Sequence, residues 1–250
     1  MFVHSLVPSI FQLGVRFDQW SLHALVNYLF SINSGSVVVV TPNVDHIVRC
    51  HNDAEFARLY GEADISLNDS RVLALLFKMA GLEQSNVIPG SDLTAALFEG
   101  LKENKAAIAI LGCDSSVIDV IEVKYGLTQV AHYNPPMGFI ESEIEIERCL
   151  SFLKENENKL LFLAVGSPRQ EVLAFRAARA GIEGVFLCVG ASLLFLSGHE
   201  VRAPRVFQLF AMEWLFRLLQ SPSRMARRYL IDGIKIFSLV YAERRKKRAG

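Results

Sequence analysis

An α/β fold with a mostly parallel sheet flanked by helices is what this sequence predicts, and three observations predict it. Six short apolar runs each end in Gly, Pro, Asn or Asp, and segments of helical periodicity lie between them. Hydrophobic residues make up 51% of the chain and mean hydropathy is +0.28. Both values suit strands buried on two faces, which read as continuous apolar runs.

The runs are Val37–Val40 before Thr41-Pro42-Asn43, Ala63–Leu67 before Asn68-Asp69, and Ala106–Leu111 before Gly112. Val130–Tyr133 before Asn134-Pro135-Pro136, Leu160–Val165 before Gly166-Ser167-Pro168, and Val185–Val189 before Gly190 complete the series. Helical spacing is expected over Val44–Tyr60, Arg71–Ala80, Leu93–Lys102, Ile140–Glu155 and Arg169–Ala180. There is no internal repeat and no low-complexity linker. One core domain over 1–205 followed by a helical appendage, 206–250, is the expected organisation.

The zero net charge hides a polarised chain. Residues 201–250 carry 12 Lys/Arg against 3 Asp/Glu, whereas the first 200 carry 14 against 23. Such asymmetry points to phosphates, a membrane or nucleic acid as partners. In the tail, Phe207–Leu219 and Met225–Tyr241 place apolar residues at helical spacing among arginines, and Arg244-Arg245-Lys246-Lys247-Arg248 follows. A basic amphipathic helix suits an anionic membrane surface; a core-packed helix with a solvated cationic face is the plainer alternative. Aromatic stacking platforms and a nucleic-acid-binding fold are missing, so nucleic acid is not expected. An apolar surface beside the tail also suits a second subunit or a partner enzyme.

No stretch reaches the ~18 uninterrupted apolar residues of a spanning helix, and Met1–Gly14 has neither a basic start nor a clear cleavage site. Cys50, Cys113, Cys149 and Cys188 lie far apart with no C-x-x-C spacing, so reduced, mostly buried thiols in a cytosolic protein are expected. His46, His51, His132 and His199 form no metal-ligand spacing, and no D-x-D pair is present. The G-x-G-x-x-G and G-x-x-x-x-G-K-[ST] motifs are absent too, which disfavours dinucleotide and P-loop chemistry.

In parallel sheets ligands bind beyond the carboxyl ends of the strands. Thr41, Asn43, Asp69, Gly112, Asn134, Ser167, Gln170 and Gly190 should therefore share one rim, although turns alone also favour such residues. Asp69 follows an expected strand. It reads either as the N-cap of the next helix or as a carboxylate able to take a proton from a hydroxyl, and position alone favours the cap. Gly166-Ser167-Pro168-Arg169-Gln170-Glu171 reads as a strand end, then a helix start whose free N–H groups suit a phosphate. Pro89-Gly90-Ser91-Asp92 reads as a turn and cap.

Taken in order, these segments resemble the WecG/TagA/CpsF family of bacterial glycosyltransferases over most of the chain. The likeness runs from Thr41-x-Asn43 through Ala63-Asp64, Asp69 and Gly90-Ser91-Asp92-Leu93 to Gly112 and Gly138. It continues with Gly166-x-Pro168-Arg169-Gln170-Glu171, Gly190, Gly198, Arg202-Ala203-Pro204, Glu213-Trp214-x-x-Arg217 and Pro222-x-Arg224-x-x-Arg227-x-Tyr229. The resemblance implies a Rossmann-like core with a membrane-reaching C-terminal appendage. It also implies inverting, metal-independent transfer of a sugar, of N-acetylmannosamine type, from a UDP-sugar to a polyprenyl-diphosphate-linked saccharide. Surface polysaccharide synthesis at the inner face of the cell membrane is the implied setting.

On that resemblance Asp69 is the general base, with Thr41 and Asn43 in the same pocket. Gly112, Gly166, Pro168, Arg169, Gln170, Glu171 and Gly190 surround the donor. Arg202, Arg217, Arg224 and Arg227 face phosphates, which guanidinium groups bind in a bidentate manner. No metal and no cofactor beyond the UDP-sugar is implied. The chain departs from the family pattern in having Asp69-Ser70 for Asp-Gly, Gly190-Ala191-Ser192 for Gly-Gly-Ala, and no arginine near Ser85-Asn86. Those departures motivate the alternative of a catalytically weakened UDP-binding scaffold at the membrane.

Overall fold

The computed structural model describes residues 7–204, 207, 212–220, 222 and 233–249. It begins with an antiparallel hairpin, β1 (Ser9–Gln12) and β2 (Val15–Asp18). Both turn residues, Leu13 and Gly14, have positive φ, +54° and +73°, as a two-residue turn matched to strand twist requires. Helix α1 (Leu22–Ser31), capped by Ser21 on Ala24 N–H, leads to strand β3 (Ser36–Val40).

Helices α2 (Val44–Asn52) and α3 (Ala54–Glu62) then connect to β4 (Ile65–Ser66). The expected single helix over 44–60 is broken because Asp53 ends α2 and caps α3, accepting Phe56 N–H at 3.0 Å. Helices α4 (Arg71–Ala80) and α5 (Gly90–Asn104) precede β5 (Ile108–Leu111), α6 (Ser115–Tyr125) and β6 (Val130–Tyr133). The expected 140–155 helix divides at Ser142, which caps α7 (Glu143–Glu155) after a short 3₁₀ turn at Phe139–Glu141. Strand β7 (Leu160–Leu163), helix α8 (Arg169–Arg179), strand β8 (Gly184–Cys188) and helix α9 (Ser192–Ser197) follow. In the tail, α10 (Glu213–Gln220) and α11 (Lys235–Ala249) are described.

Every one of the six apolar runs contributes a strand. Their order across the sheet is β4-β3-β8-β7-β5-β6, and all neighbours pair in parallel. Side chains alternate between two cores. Val38, Val40, Leu161 and Phe186 face the layer holding α2, α3, α4, α7 and α8. Val37, Val39, Phe162 and Leu187 face α1, α5, α6 and α9. The β4 edge is covered by the hairpin: Asp18 accepts Ser66 N–H at 2.8 Å and pairs with Arg16 at 2.9 Å. Neither hairpin nor α1 was expected from the apolar runs.

Helix α11 packs onto α2 and α4. Its Ile236 and Val240 are buried in the first of those cores, while the neighbouring Phe237 and Tyr241 are exposed.

At the end of β5, Gly112 has φ +105°, and a Cβ there would stand 2.8 Å from the backbone carbon of Ala164. Gly112→Ala should therefore cost about 2–3 kcal/mol, from combined strain and overpacking. Gly126→Ala, with φ +64° and open space around it, should cost only about 1 kcal/mol. Urea midpoints of the two variants check the difference.

Candidate active site

Because the strands run in parallel, their carboxyl ends share one rim. The turns after β3, β4, β7 and β8 meet there around a cleft of about 920 Å³, a volume suited to a sizeable small molecule. The N-termini of α2, α5, α8 and α9 open into the same space, through Asn43, Gly90, Ser167 and Ala191 among others. First-turn N–H groups without intrahelical partners and the positive ends of helix dipoles make such a place favourable to an anion.

Asp69 lines this cleft, and it is not the cap of α4. Ser70 takes that role, its hydroxyl accepting Leu73 N–H at 3.2 Å. The Asp69 carboxylate turns instead to α5, where Oδ1 accepts Gly90 N–H at 2.6 Å. Oδ2 receives a longer contact from Asn43 Nδ2, at 3.4 Å. Asn43 is held by its own capping box: Oδ1 accepts from Asp45 and His46 N–H, and His46 Nδ1 accepts Asn43 N–H. With its oxygen committed to the helix, the amide presents its NH₂ to Asp69. Thr41 completes the group, since a Cβ on Gly90 would lie 3.0 Å from Thr41 Oγ1.

Across the cleft stand the turns after β7 and β8. Gly166 adopts φ +77° and the Ser167–Pro168 peptide is cis. Gln170 is buried, with Oε1 accepting Gly190 N–H at 3.0 Å and Nε2 donating to Glu171 Oε1 at 3.2 Å. Arg169 lies in the wall. Glu171 lies beneath it: 1% exposed, it accepts from Tyr60 Oη at 3.2 Å. Burial outweighs these donors and pushes its carboxyl above the ordinary range.

Other expected residues are spread more widely. Gly112 is at the rim beyond β5, with its carbonyl near His132 Nε2 at 3.2 Å; it does not line the cleft. Arg202 pairs with Asp92, which also pairs with Arg71 at 3.5 Å, and Arg71 reaches Glu213 on α10 at 3.0 Å. Arg217 is on α10, and its side chain lies outside the described set. Arg224 and Arg227 lie outside the described residues. Asn86 turns from the cleft to Trp20 O, at 3.1 Å.

Sequence reasoning missed His46 and Arg49, which line the cleft from the first turns of α2. Their spacing from Asn43, three and six residues on, places them near one helix face and was the available signal. His199, Glu200 and Gln220 are further lining residues from the segment after α9 and from α10. The cysteines are free, and burial pushes Cys113 and Cys149 up to about 11 and Cys50 to about 12. They are thiols at neutral pH, unsuited to nucleophilic work. Among the described residues no group of three or more His, Cys, Asp or Glu could hold a metal ion.

The two jobs of Asn43 are separable. Asn43→Ser keeps a capping oxygen and should stay within about 0.5 kcal/mol of the parent, whereas Asn43→Ala should lose about 1 kcal/mol. Denaturant titration of both variants measures this.

The arrangement is a carboxylate held by N–H donors, facing a large cleft ringed by helix N-termini. That geometry can take a proton from a hydroxyl on one side while accommodating an anionic group on the other. A model of the Glycosyl transferase WecG/TagA/CpsF family matches residues 10–250, which includes every element of the sheet and the cleft. The fold, the rim and this match agree, and the chain belongs to the WecG/TagA/CpsF family of glycosyltransferases.

Proposed function

We propose that this glycosyltransferase moves a sugar, of N-acetylmannosamine type, from a UDP-sugar to a saccharide carried on a polyprenyl diphosphate, with inversion and without a metal. The observation that carries the reading is the Asp69 carboxylate in the cleft wall, aimed by Gly90 N–H and the Asn43 amide. In this scheme the acceptor hydroxyl attacks the anomeric carbon from the face opposite the diphosphate. Its oxygen forms the new C–O bond, its proton passes to Asp69, and the bond to the diphosphate oxygen breaks to release UDP. One displacement of this kind inverts the anomeric centre.

The departing diphosphate gathers negative charge. Arg169, Arg49 and the N-termini of α8 and α9 are the cationic and N–H groups in the cleft wall suited to receive it. Gln170 and Gly190 would face the donor from the same side. Arg202, Arg217, Arg224 and Arg227 remain the proposed contacts for acceptor or donor phosphates. Glu213, ion-paired to Arg71, ties α10 to the helix that follows Asp69.

Asp69→Asn keeps the shape and removes the base, so transfer should fall by about 10²–10⁴-fold. The assay offers a panel of UDP-sugars and a short-chain prenyl-diphosphate saccharide, with and without EDTA. Turnover that survives EDTA and needs Asp69 supports the reading. UDP binding without transfer to any acceptor would favour a scaffold instead.

No helix among the described residues is long and apolar enough to cross a membrane. We propose a peripheral position at the inner face of the cell membrane, with α11 as the contact. Ile234, Phe237 and Tyr241 are exposed at three- and four-residue spacing, and the basic run from Arg244 to Arg248 continues the helix. Deleting the helix would also strip buried Ile236 and Val240 from the core, so substitution is the cleaner test. Phe237→Ser with Tyr241→Ser should reduce co-sedimentation with anionic vesicles by at least about tenfold. Unchanged co-sedimentation would sink this role for α11.

A further inference from the structure

The reaction above gives Glu171 no step, yet its surroundings are specific. An acidic side chain in the first turn of a helix ordinarily reaches outward, where it meets both water and the helix end. This one turns inward and is 1% exposed. Its Oε1 accepts two hydrogen bonds, from Tyr60 Oη and Gln170 Nε2, each at 3.2 Å. Its Oε2 is buried without a hydrogen-bond partner among the described residues. The same is true of the Ser167 hydroxyl, which acts on that carboxyl from the turn before α8.

The titratable groups facing it are Tyr60 on α3, Cys50 on α2 and Cys188 on β8. All three are held neutral by burial, and none brings a positive charge. An ionised carboxylate here would have only neutral donors (Tyr60, Gln170 and the Ser167 hydroxyl) and no counter-charge against nearly complete burial, a state that buried carboxyls escape by taking up a proton. Once protonated, Oε2 becomes a donor, and Ser167 Oγ is an acceptor with no competing partner. The Ser167 hydroxyl can pair with Oε2 in either state, and burial without a counter-charge selects the protonated one, in which Oε1 keeps its two donors.

We propose that Glu171 is a neutral carboxylic acid that fixes the orientation of the Gln170 side-chain amide. With Oε1 of Glu171 accepting, the Gln170 NH₂ points inward and its oxygen is left for Gly190 N–H, at 3.0 Å. Through that pair the turn after β7 holds the turn after β8, and the cleft wall between them has one shape. Glu171 is a positioning residue, acting through Gln170 and Gly190. The inference rests on the transferase reading only in giving Gln170 a donor to face.

Infrared difference spectra of ¹³C-Glu-labelled protein at pH 7 test the protonation state. A protonated-carboxyl C=O band should be present in the parent, absent from Glu171→Gln, and shifted to higher frequency in Ser167→Ala. Carboxylate bands alone would overturn the neutral acid, and an unmoved band in Ser167→Ala would overturn its acceptor. Amide hydrogen exchange at Gly190 tests the positioning. Glu171→Gln, which keeps an acceptor for Gln170 and a donor for Ser167, should exchange within about twofold of the parent, and Glu171→Leu about tenfold faster. Equal rates in the parent and Glu171→Leu would overturn the role. None of these readouts needs a sugar nucleotide. A chain that bound no UDP would therefore refute the proposed function while leaving the protonation and positioning of Glu171 intact.

Discussion

The hydrogen bond from Gly90 N–H to Asp69 Oδ1, 2.6 Å long, is the contact on which the acid side of the cleft depends. It joins the end of β4 to the start of α5 across 21 residues of chain. The backbone of Asp69 is fixed as well, its N–H donating to Pro42 O at 3.1 Å in the turn after β3. Three turns therefore meet at one residue. The absence of a Cβ at Gly90 eases this close approach, since one there would stand 3.0 Å from Thr41 Oγ1. The first N–H of α5 has no partner inside the helix, so a carboxylate is a natural acceptor for it. The same bond that satisfies the helix end sets where the carboxylate points.

The opposite wall is made from different parts by the same logic. There Gln170 replaces the carboxylate, and Gly190 N–H replaces that of Gly90. The two walls are held in register by the β3–β8 ladder, in which Val39 pairs with Leu187 at the rim. Relative placement of the acid and the opposite wall is thus a property of the sheet core, where Val39 and Leu187 are each 1% exposed, rather than of the loops. The floor of such a cleft is set by the sheet itself.

The sheet was legible because burial on both faces leaves short apolar runs, here closed by Gly, Pro, Asn or Asp and alternating with helical periodicity, and all six runs became strands. Breaks inside helical stretches were harder to see. The apolar spacing from Ile47 to Tyr60 passes through Asp53 without interruption, so only the capping chemistry of that one residue divides α2 from α3. The hairpin was hidden by its composition: Ser9–Gln12 and Val15–Asp18 mix polar and apolar residues, so neither forms a continuous apolar run. In the site, the strand-end residues Thr41, Asn43, Asp69, Gln170 and Gly190 were legible because parallel topology gathers them. Whether Asp69 or Ser70 capped α4 was not, since both residue types fit the position. Partners distant in sequence were likewise invisible: nothing local tells that Arg202 meets Asp92, or that Arg71 meets Glu213.

The strand order has a consequence for how the chain is made. Strands β3 and β4 are neighbours in both sequence and space, as are β5 and β6, but the two pairs are separated in the sheet by β7 and β8. During synthesis the Val-rich flank of β3 and the flank of β5 emerge long before the unit that will occupy the gap between them. Until residues 160–188 arrive, both are open edges of strongly apolar strands, the kind of surface that pairs with other chains. The wall bearing Gln170 is carried in by that late unit, so the nascent chain passes through a stage with an acid-bearing half-sheet and no pocket. That interval is when the topology leaves strand edges most exposed to pairing with other chains.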